Sequence, residues 1–527
     1  MILPAVPERA LTELGRTEGG PETLGLLVRD QHTRRLLLLR AVLDAAESAD
    51  RSICPAAVLT RLREDWALLE EAERLEPPAH RTGRPYGPGP GTGRTADAPP
   101  PPEGSAGPAP GAGRTAAVPQ PSEGGAASGN RPSPSPVRAL LLHPFIGPWA
   151  RDALRALEAG TGPRTERDTR EPARALAHFG SLAAVAAARA GVSYTVRLTA
   201  RDGVLTLPSL GALRTGDSGD TVVGVVHRRG RLTLRRPGET DVVVRLESCA
   251  GAWSDAPAWT PAFALPGLLP GSAAVPLDDL DPYRTARGGP RPDTLSGPVT
   301  LADADHKHWL HAWSGTAAVL GLGGELRLAE AVALLTCLVP LSEPPGSVPG
   351  RPGGSCSGTR REAFGAVLSS VPATATMFAA TLVHEIQHTK LAALSEMVTL
   401  HHATQQARHF APWRTDPRPY DGLLQGAYSH LALADFFQRT ALATTLPARR
   451  DAAWEQHARY QEQVGAVLPA LVGSGDLTVP GRQFVDRMVE VYERLAEQPP
   501  PRGPAARATA YVRAARTLWT QRHALGE

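Results

Sequence analysis

The stretch that most limits what this chain can become is Ala379-Ala380-Thr381-Leu382-Val383-His384-Glu385-Ile386-Gln387-His388-Thr389-Lys390-Leu391. It is made of good helix formers, with no Gly and no Pro after Pro372, so it reads as the middle of a helix. On a helix His384 and His388 project from one face about one turn apart. Two imidazoles on a rigid rod can take two positions on one metal ion, and Glu385 beside them can reach a bound water or substrate. The neighbours Met377, Phe378, Leu382, Val383 and Ile386 are apolar. Histidines set in such a surface need partners, which favours a metal over a chance HExxH on an exposed helix.

The chain has 527 residues, enough for more than one domain. Lys+Arg 56 against Asp+Glu 53 leaves a net charge of only +3, with the arginines dispersed among acids. Neither nucleic acid nor a membrane surface is expected as a partner. No stretch has the length and apolar content of a signal peptide or membrane span, so a cytoplasmic location is expected. Cys54, Cys249, Cys337 and Cys356 lie far apart without CxxC pairing and read as buried thiols.

The periodicities predict an α+β fold, predominantly α-helical with a small antiparallel β meander. Residues 1–76 form an N-terminal helical segment, with helices at Thr23 to Ala49 and Ala56 to Leu75. Residues 77–136 are rich in Gly, Pro, Ser and Ala and read as a disordered linker. Residues 137–446 form the HExxH domain. In it, Leu140 to Leu157 and Pro172 to Ala190 read as helices, and a meander is inserted at 193–247. The meander's short β-branched runs are separated by Asp202-Gly203, Arg229-Gly230 and Pro237-Gly238. Further helices are expected at Asp303 to Val319, Leu326 to Thr336 and Asp421 to Leu442, and strands at Cys337 to Leu341 and Ala363 to Leu368. Residues 447–527 form a C-terminal helical segment, with helices at Arg449 to Val472, Gly481 to Glu497 and Ala505 to Leu525.

Completing a metal site needs a third ligand. Glu396 lies eight residues past His388, about 12 Å along a continuous helix, and cannot reach the same ion. The apolar helix from Gly422 to Phe437 sets Gln425, His430 and Asp435 into its surface. His430 is the candidate; Asp435 is the alternative and would complete a two-histidine, one-carboxylate set. Asp416 stands between Arg414 and Arg418. Those arginines belong to a Pro-rich turn, His409 to Pro419, and admit two readings. Either they pair locally with Asp416 on the surface, or one of them grips a ligand carboxylate through its planar fork.

Three segments together carry a resemblance: Leu382-Val383-His384-Glu385-Ile386-Gln387-His388-Thr389-Lys390-Leu391, then Phe410-Ala411-Pro412-Trp413-Arg414-Thr415-Asp416-Pro417-Arg418-Pro419, then Gly422-Leu423-Leu424-Gln425-Gly426-Ala427-Tyr428. With His143-Pro144, Trp149 and Asp279-Leu280-Asp281-Pro282-Tyr283-Arg284, the chain from about Val137 to Leu442 resembles the HExxH-type α-ketoglutarate-dependent peptide β-hydroxylases of actinobacterial ribosomal-peptide modification clusters. The first helical piece and the linker lie outside the resemblance. The resemblance implies Fe(II), α-ketoglutarate as co-substrate and O2, with hydroxylation at Cβ of a residue in a precursor peptide. It also implies other peptide-modifying enzymes of the same pathway as candidate partners. On it, His384, His388 and His430 hold the iron and Arg414 or Arg418 holds α-ketoglutarate. Glu385 orients a water, a ligand or the peptide. Two other functions fit the residues. In a zinc metallopeptidase Zn(II) would replace iron and Glu385 would be the general base. A non-catalytic helical protein would merely hold the peptide.

Overall fold

A computed structural model describes residues 6–75, 135–158, 166–236, 238–247, 251–285, 297–343 and 356–523. The chain is α+β. It opens with α1 (Glu8–Gly15), α2 (Pro21–Ser48) and α3 (Ala56–Arg74), and continues with α4 (Pro136–Leu141), α5 (Ile146–Glu158) and α6 (Glu166–Arg189). The expected linker lies outside the described residues except for its last two. There Ser135 caps α4, its Oγ accepting from the backbone N–H of Arg138 at 3.2 Å. Trp149 and Phe179 stack where α5 meets α6, ring centroids 5.8 Å apart.

The meander forms as the alternation predicts. Strands β1 (Tyr194–Ala200), β4 (Thr221–Arg228), β5 (Arg231–Arg235), β6 (Val242–Leu246) and β7 (Ala252–Trp253) pair antiparallel in the order β1-β4-β5-β6-β7. Beside them β2 (Val204–Leu207), β3 (Gly211–Arg214) and β8 (Trp259–Pro261) make a second antiparallel sheet.

A third sheet positions the site. It joins β9 (Phe263–Leu265), β10 (Val275–Leu277), β11 (Cys337–Pro340), β12 (Ser357–Thr359) and β13 (Ala366–Ser369) in the order β12-β13-β11-β10-β9. Its middle pairs, β10 with β11 and β11 with β13, are parallel. Parallel strands are covered on both faces, and every residue of β11 and β13 is buried. Side chains alternate across such strands. Val275, Leu277, Leu338 and Val367 enter one core, while Cys337, Val339, Ala366 and Leu368 enter another on the opposite face.

The first core contains the remaining helices: α7 (Asp303–Trp313), α8 (Thr316–Leu322), α9 (Glu325–Leu334), α10 (Ala375–Met397), α11 (Tyr420–Ala443), α12 (Pro447–Gly465), α13 (Leu468–Val472) and α14 (Val479–Ala496). The last helix, α15 (Arg502–His523), packs along α12. The second core joins α3, α5, α6 and the meander. Helix α2, about 42 Å long at 1.5 Å per residue, belongs to both: Leu24 and Leu27 enter the first, Leu39, Val42 and Leu43 the second. Residues 6–75 are therefore not set apart from the body by packing, and neither are α12 to α14.

Three expected helices are interrupted for local reasons. Leu140 to Leu157 breaks between α4 and α5, where Pro144 cannot donate a helical hydrogen bond. Asp303 to Val319 breaks at Gly315, whose φ of 84° ends α7 and starts α8. Arg449 to Val472 divides into α12 and α13.

Candidate metal centre

Helix α10 starts at Thr374, whose side chain accepts from the N–H of Met377 at 3.2 Å, and runs unbroken through His384 and His388 to Met397. The two histidines converge as their spacing requires. His384 Nε2 lies 2.9 Å from His388 Nε2. The other nitrogen of His388, Nδ1, donates to Gln425 Oε1 of α11 at 3.1 Å. With Nδ1 committed to Gln425, Nε2 is the ring atom of His388 that faces His384. Metal–nitrogen bonds of about 2.1 Å meeting near a right angle put two ligand nitrogens about 3 Å apart. The observed pair has that spacing, so these residues fit a metal ion.

Helix α11 brings a third imidazole near this pair through a simple stripe. Among the described residues, though, three ligating side chains converge within 4.8 Å only at His143, Asp278 and Cys337, so His430 does not close on the pair here. Gly422, Gly426 and His430 follow one another at intervals of four and share one face. A Cβ at Gly426 would stand 2.5 Å from the Trp413 ring, and one at Gly422 2.9 Å from the Arg418 guanidinium. The missing side chains are what let the Pro-rich turn lie on the helix. Trp413 then meets His430 edge-on at 4.5 Å between ring centroids, and His430 meets His384 at 5.6 Å. His430 Nδ1 is buried without a hydrogen-bond partner.

Burial favours the neutral forms of His384 and His430. It pushes His384 well below the ordinary histidine value, with His388 and His430 adding to the effect. His430 is pushed down to about 3, by burial first and then by His388 and Arg459. Neutral imidazole is the form that ligates.

The carboxylates divide clearly. Asp435, the alternative third ligand, is committed elsewhere: Arg439 Nε donates to it at 3.0 Å, Arg494 Nη2 at 3.0 Å and Arg327 Nη2 at 3.3 Å. Arg327 also pairs with Glu330 at 3.1 Å, and Glu330 takes Lys390 Nζ of α10 at 2.6 Å. Lys390 and Arg327 reach the Thr17 carbonyl as well, so this buried ionic knot ties α9, α10 and α11 to the turn after α1. Asp435 is thus occupied by three arginines in this structure. Glu396 accepts from Gln31 at 2.9 Å, far along α10, as the continuous helix required. Glu385 faces the third sheet, where Ser357 Oγ of β12 donates to its Oε1 at 2.7 Å. Its Oε2 is buried without a partner. Burial pushes its carboxyl above the usual range, against the pull of His388, Ser357 and Thr359.

The arginine turn is closed by a pair of backbone hydrogen bonds between His409 and Arg418, both 2.9 Å. Helix α15 braces it: Arg516 lies 4.5 Å over the Phe410 ring, and Tyr511 donates to the Pro412 carbonyl at 3.3 Å. Arg414 Nε donates to Asp416 at 2.9 Å, and Arg418 Nη1 lies 3.8 Å from the same carboxylate. The local pairing thus exists, at a carboxylate that is half exposed. Arg418 Nε is buried without a partner.

Sequence reasoning assigned no role to Gln425, Ser357 or the bracing by α15. Only Gln425 left a signal, as a polar residue on an apolar helix. A cavity of about 410 Å³ lies elsewhere, between α6, the β2-β3-β8 sheet and the loop after β10. It is lined by Arg174, Arg201, Arg214 and Arg284 and by none of the expected site residues. Among the described residues no helix is long and apolar enough to cross a membrane. No protein-family model matches the chain, and no curated protein matches it.

Proposed function

We propose that the chain is an Fe(II)- and α-ketoglutarate-dependent hydroxylase that acts on Cβ of a residue in a ribosomally made precursor peptide. One observation carries this reading: two histidine nitrogens 2.9 Å apart, one ring fixed by Gln425, beside a third buried histidine that packs on the arginine turn. His384, His388 and His430 would hold the iron, which when bound supplies the oxidising chemistry together with O2 and α-ketoglutarate. Gln425 fixes the ring of His388 and its tautomer. Arg414 or Arg418 would take the distal carboxylate of α-ketoglutarate, from the turn whose Trp413 packs against His430. Glu385, held by Ser357, supports the wall next to the ligands. A peptidase has no use for a guanidinium that binds a dicarboxylate, whereas the co-substrate of this reading needs one, and the arginine turn that packs on His430 through Trp413 offers two.

The test combines the purified chain with Fe(II), ascorbate, α-ketoglutarate and the precursor peptide, followed by mass spectrometry of the peptide. The expected product carries one added oxygen and forms only with α-ketoglutarate present. Peptide cleaved with zinc alone overturns the reading in favour of a metallopeptidase.

A further inference from the structure

On the opposite face of the third sheet, a second set of ligating side chains converges from three segments distant in sequence. His143 stands in the break between α4 and α5, Asp278 follows β10, and Cys337 begins β11. One nitrogen, one oxygen and the sulfur of this trio all lie within 4.8 Å of one another. The placement follows from register. Asp278 donates its N–H to the Leu338 carbonyl at 2.7 Å, which brings it beside β11. Cys337 points away from the α10 face because its neighbour Leu338 points toward it.

We propose that His143, Asp278 and Cys337 bind a second divalent metal ion of the zinc class, separate from the HExxH centre. Imidazole, carboxylate and thiol together form a donor set suited to that borderline-soft ion. A second observation points the same way. Asp278 Oδ2 is buried 3.0 Å from His143 Nε2, and the same carboxylate faces the Cys337 thiol. The one carboxylate thus sits against both the imidazole and the thiol, which places the three side chains as neighbouring ligands of one ion. Cys337 is fully buried while His143 and Asp278 are part-exposed, so an ion here would tie the α4–α5 break to β10 and β11 and keep one position toward solvent.

Two contacts bear on binding. The N–H of Phe145 approaches His143 Nδ1 at 3.4 Å, a long contact that is lost when Nε2 takes the metal. Arg35 sits nearby with its guanidinium on the carbonyls of Leu142 and Phe364. Burial first, then Asp278 and Asp281, push the Cys337 thiol well up, whereas the Arg35 charge draws it down; that upward push is the opposition a bound cation would have to overcome. On binding, the Cys337 S–H bond breaks, its proton leaves to solvent and a sulfur–metal bond forms. Water fills the fourth position.

The experiment uses the full chain, reduced and anaerobic. The His384→Ala/His388→Ala double variant, saturated with zinc and freed of loose metal, should retain one ion per chain. Adding Cys337→Ser should bring that to none. With cobalt(II) in place of zinc, the double variant should show a thiolate-to-cobalt charge-transfer band that Cys337→Ser abolishes. The cobalt spectrum of the double variant itself needs no change in the cluster, so it reads the site even if Cys337→Ser fails to fold. A double variant without bound zinc and without that band overturns the proposal, as does a band that survives Cys337→Ser. Hydroxylase activity enters neither readout, so failure here is distinct from failure of the proposed reaction.

Discussion

At the scale of single residues, the HExxH spacing was fully legible, because two histidines four apart on a helix have little choice about where they point. The third ligand was not. His430 was the candidate and Asp435 the alternative on the same apolar helix, and only tertiary contacts gave Asp435 to three arginines. His384→Ala, His388→Ala and His430→Ala should each abolish tight Fe(II) binding, measured by anaerobic metal analysis, while Asp435→Asn keeps it. Gln425→Leu leaves all three imidazoles in place but frees the His388 ring, so iron affinity should fall by about 10–100-fold. Asp416 is a built-in competitor for the arginines. An exposed pair of its kind is worth about 0.2–1 kcal/mol, so Asp416→Asn should tighten α-ketoglutarate binding by up to about fivefold. Replacing by Ala the arginine that holds the co-substrate should weaken it by about 2–5 kcal/mol. Titration calorimetry on the iron-loaded, anaerobic chain reads both effects.

At the scale of elements, the long helices and the strands of the meander follow from period and turn residues. The breaks did not emerge, and of the third sheet only β11 and β13 did, as the runs Cys337 to Leu341 and Ala363 to Leu368. Strands β9, β10 and β12 are three residues each, and their pairing is dictated by partners far along the chain. The contact of α3 with α6 contains a polar residue that no periodicity explains. Asp65 is buried there against Gly180, and burial pushes its carboxyl up to about 7, with Arg61 opposing and Glu64 adding. In the unfolded chain this group ionises at the ordinary, lower carboxylate value. Between the two values the unfolded state binds more weakly to protons than the folded one, so the contribution of Asp65 to stability falls as pH rises through that window. Asp65→Asn should therefore stabilise the protein by about 2–4 kcal/mol at pH 8, with little gain near pH 4, as read by denaturant titration at both values.

At the scale of the whole molecule, composition marks the linker but does not tell where its two ends lie. They are near one another: Arg138 of α4 pairs with Glu73 of α3 at 3.0 Å. Replacing residues 78–134 by a few Gly and Ser residues should leave the Tm nearly unchanged, because that composition contributes no core. Removing residues 1–20 should do the opposite. It deletes Leu11 and Leu14 from the first core at about 2–5 kcal/mol each, and with them the Thr17 carbonyl that holds Lys390 and Arg327. A loss of the cooperative thermal transition is the expected result. The strands β11 and β13 send alternate side chains to both cores, so neither core has a boundary it can open by itself. Deuterium uptake should record this as a matter of time. The ladder amides of β11 and β13 should exchange last and together, at the rate at which the entire chain comes apart.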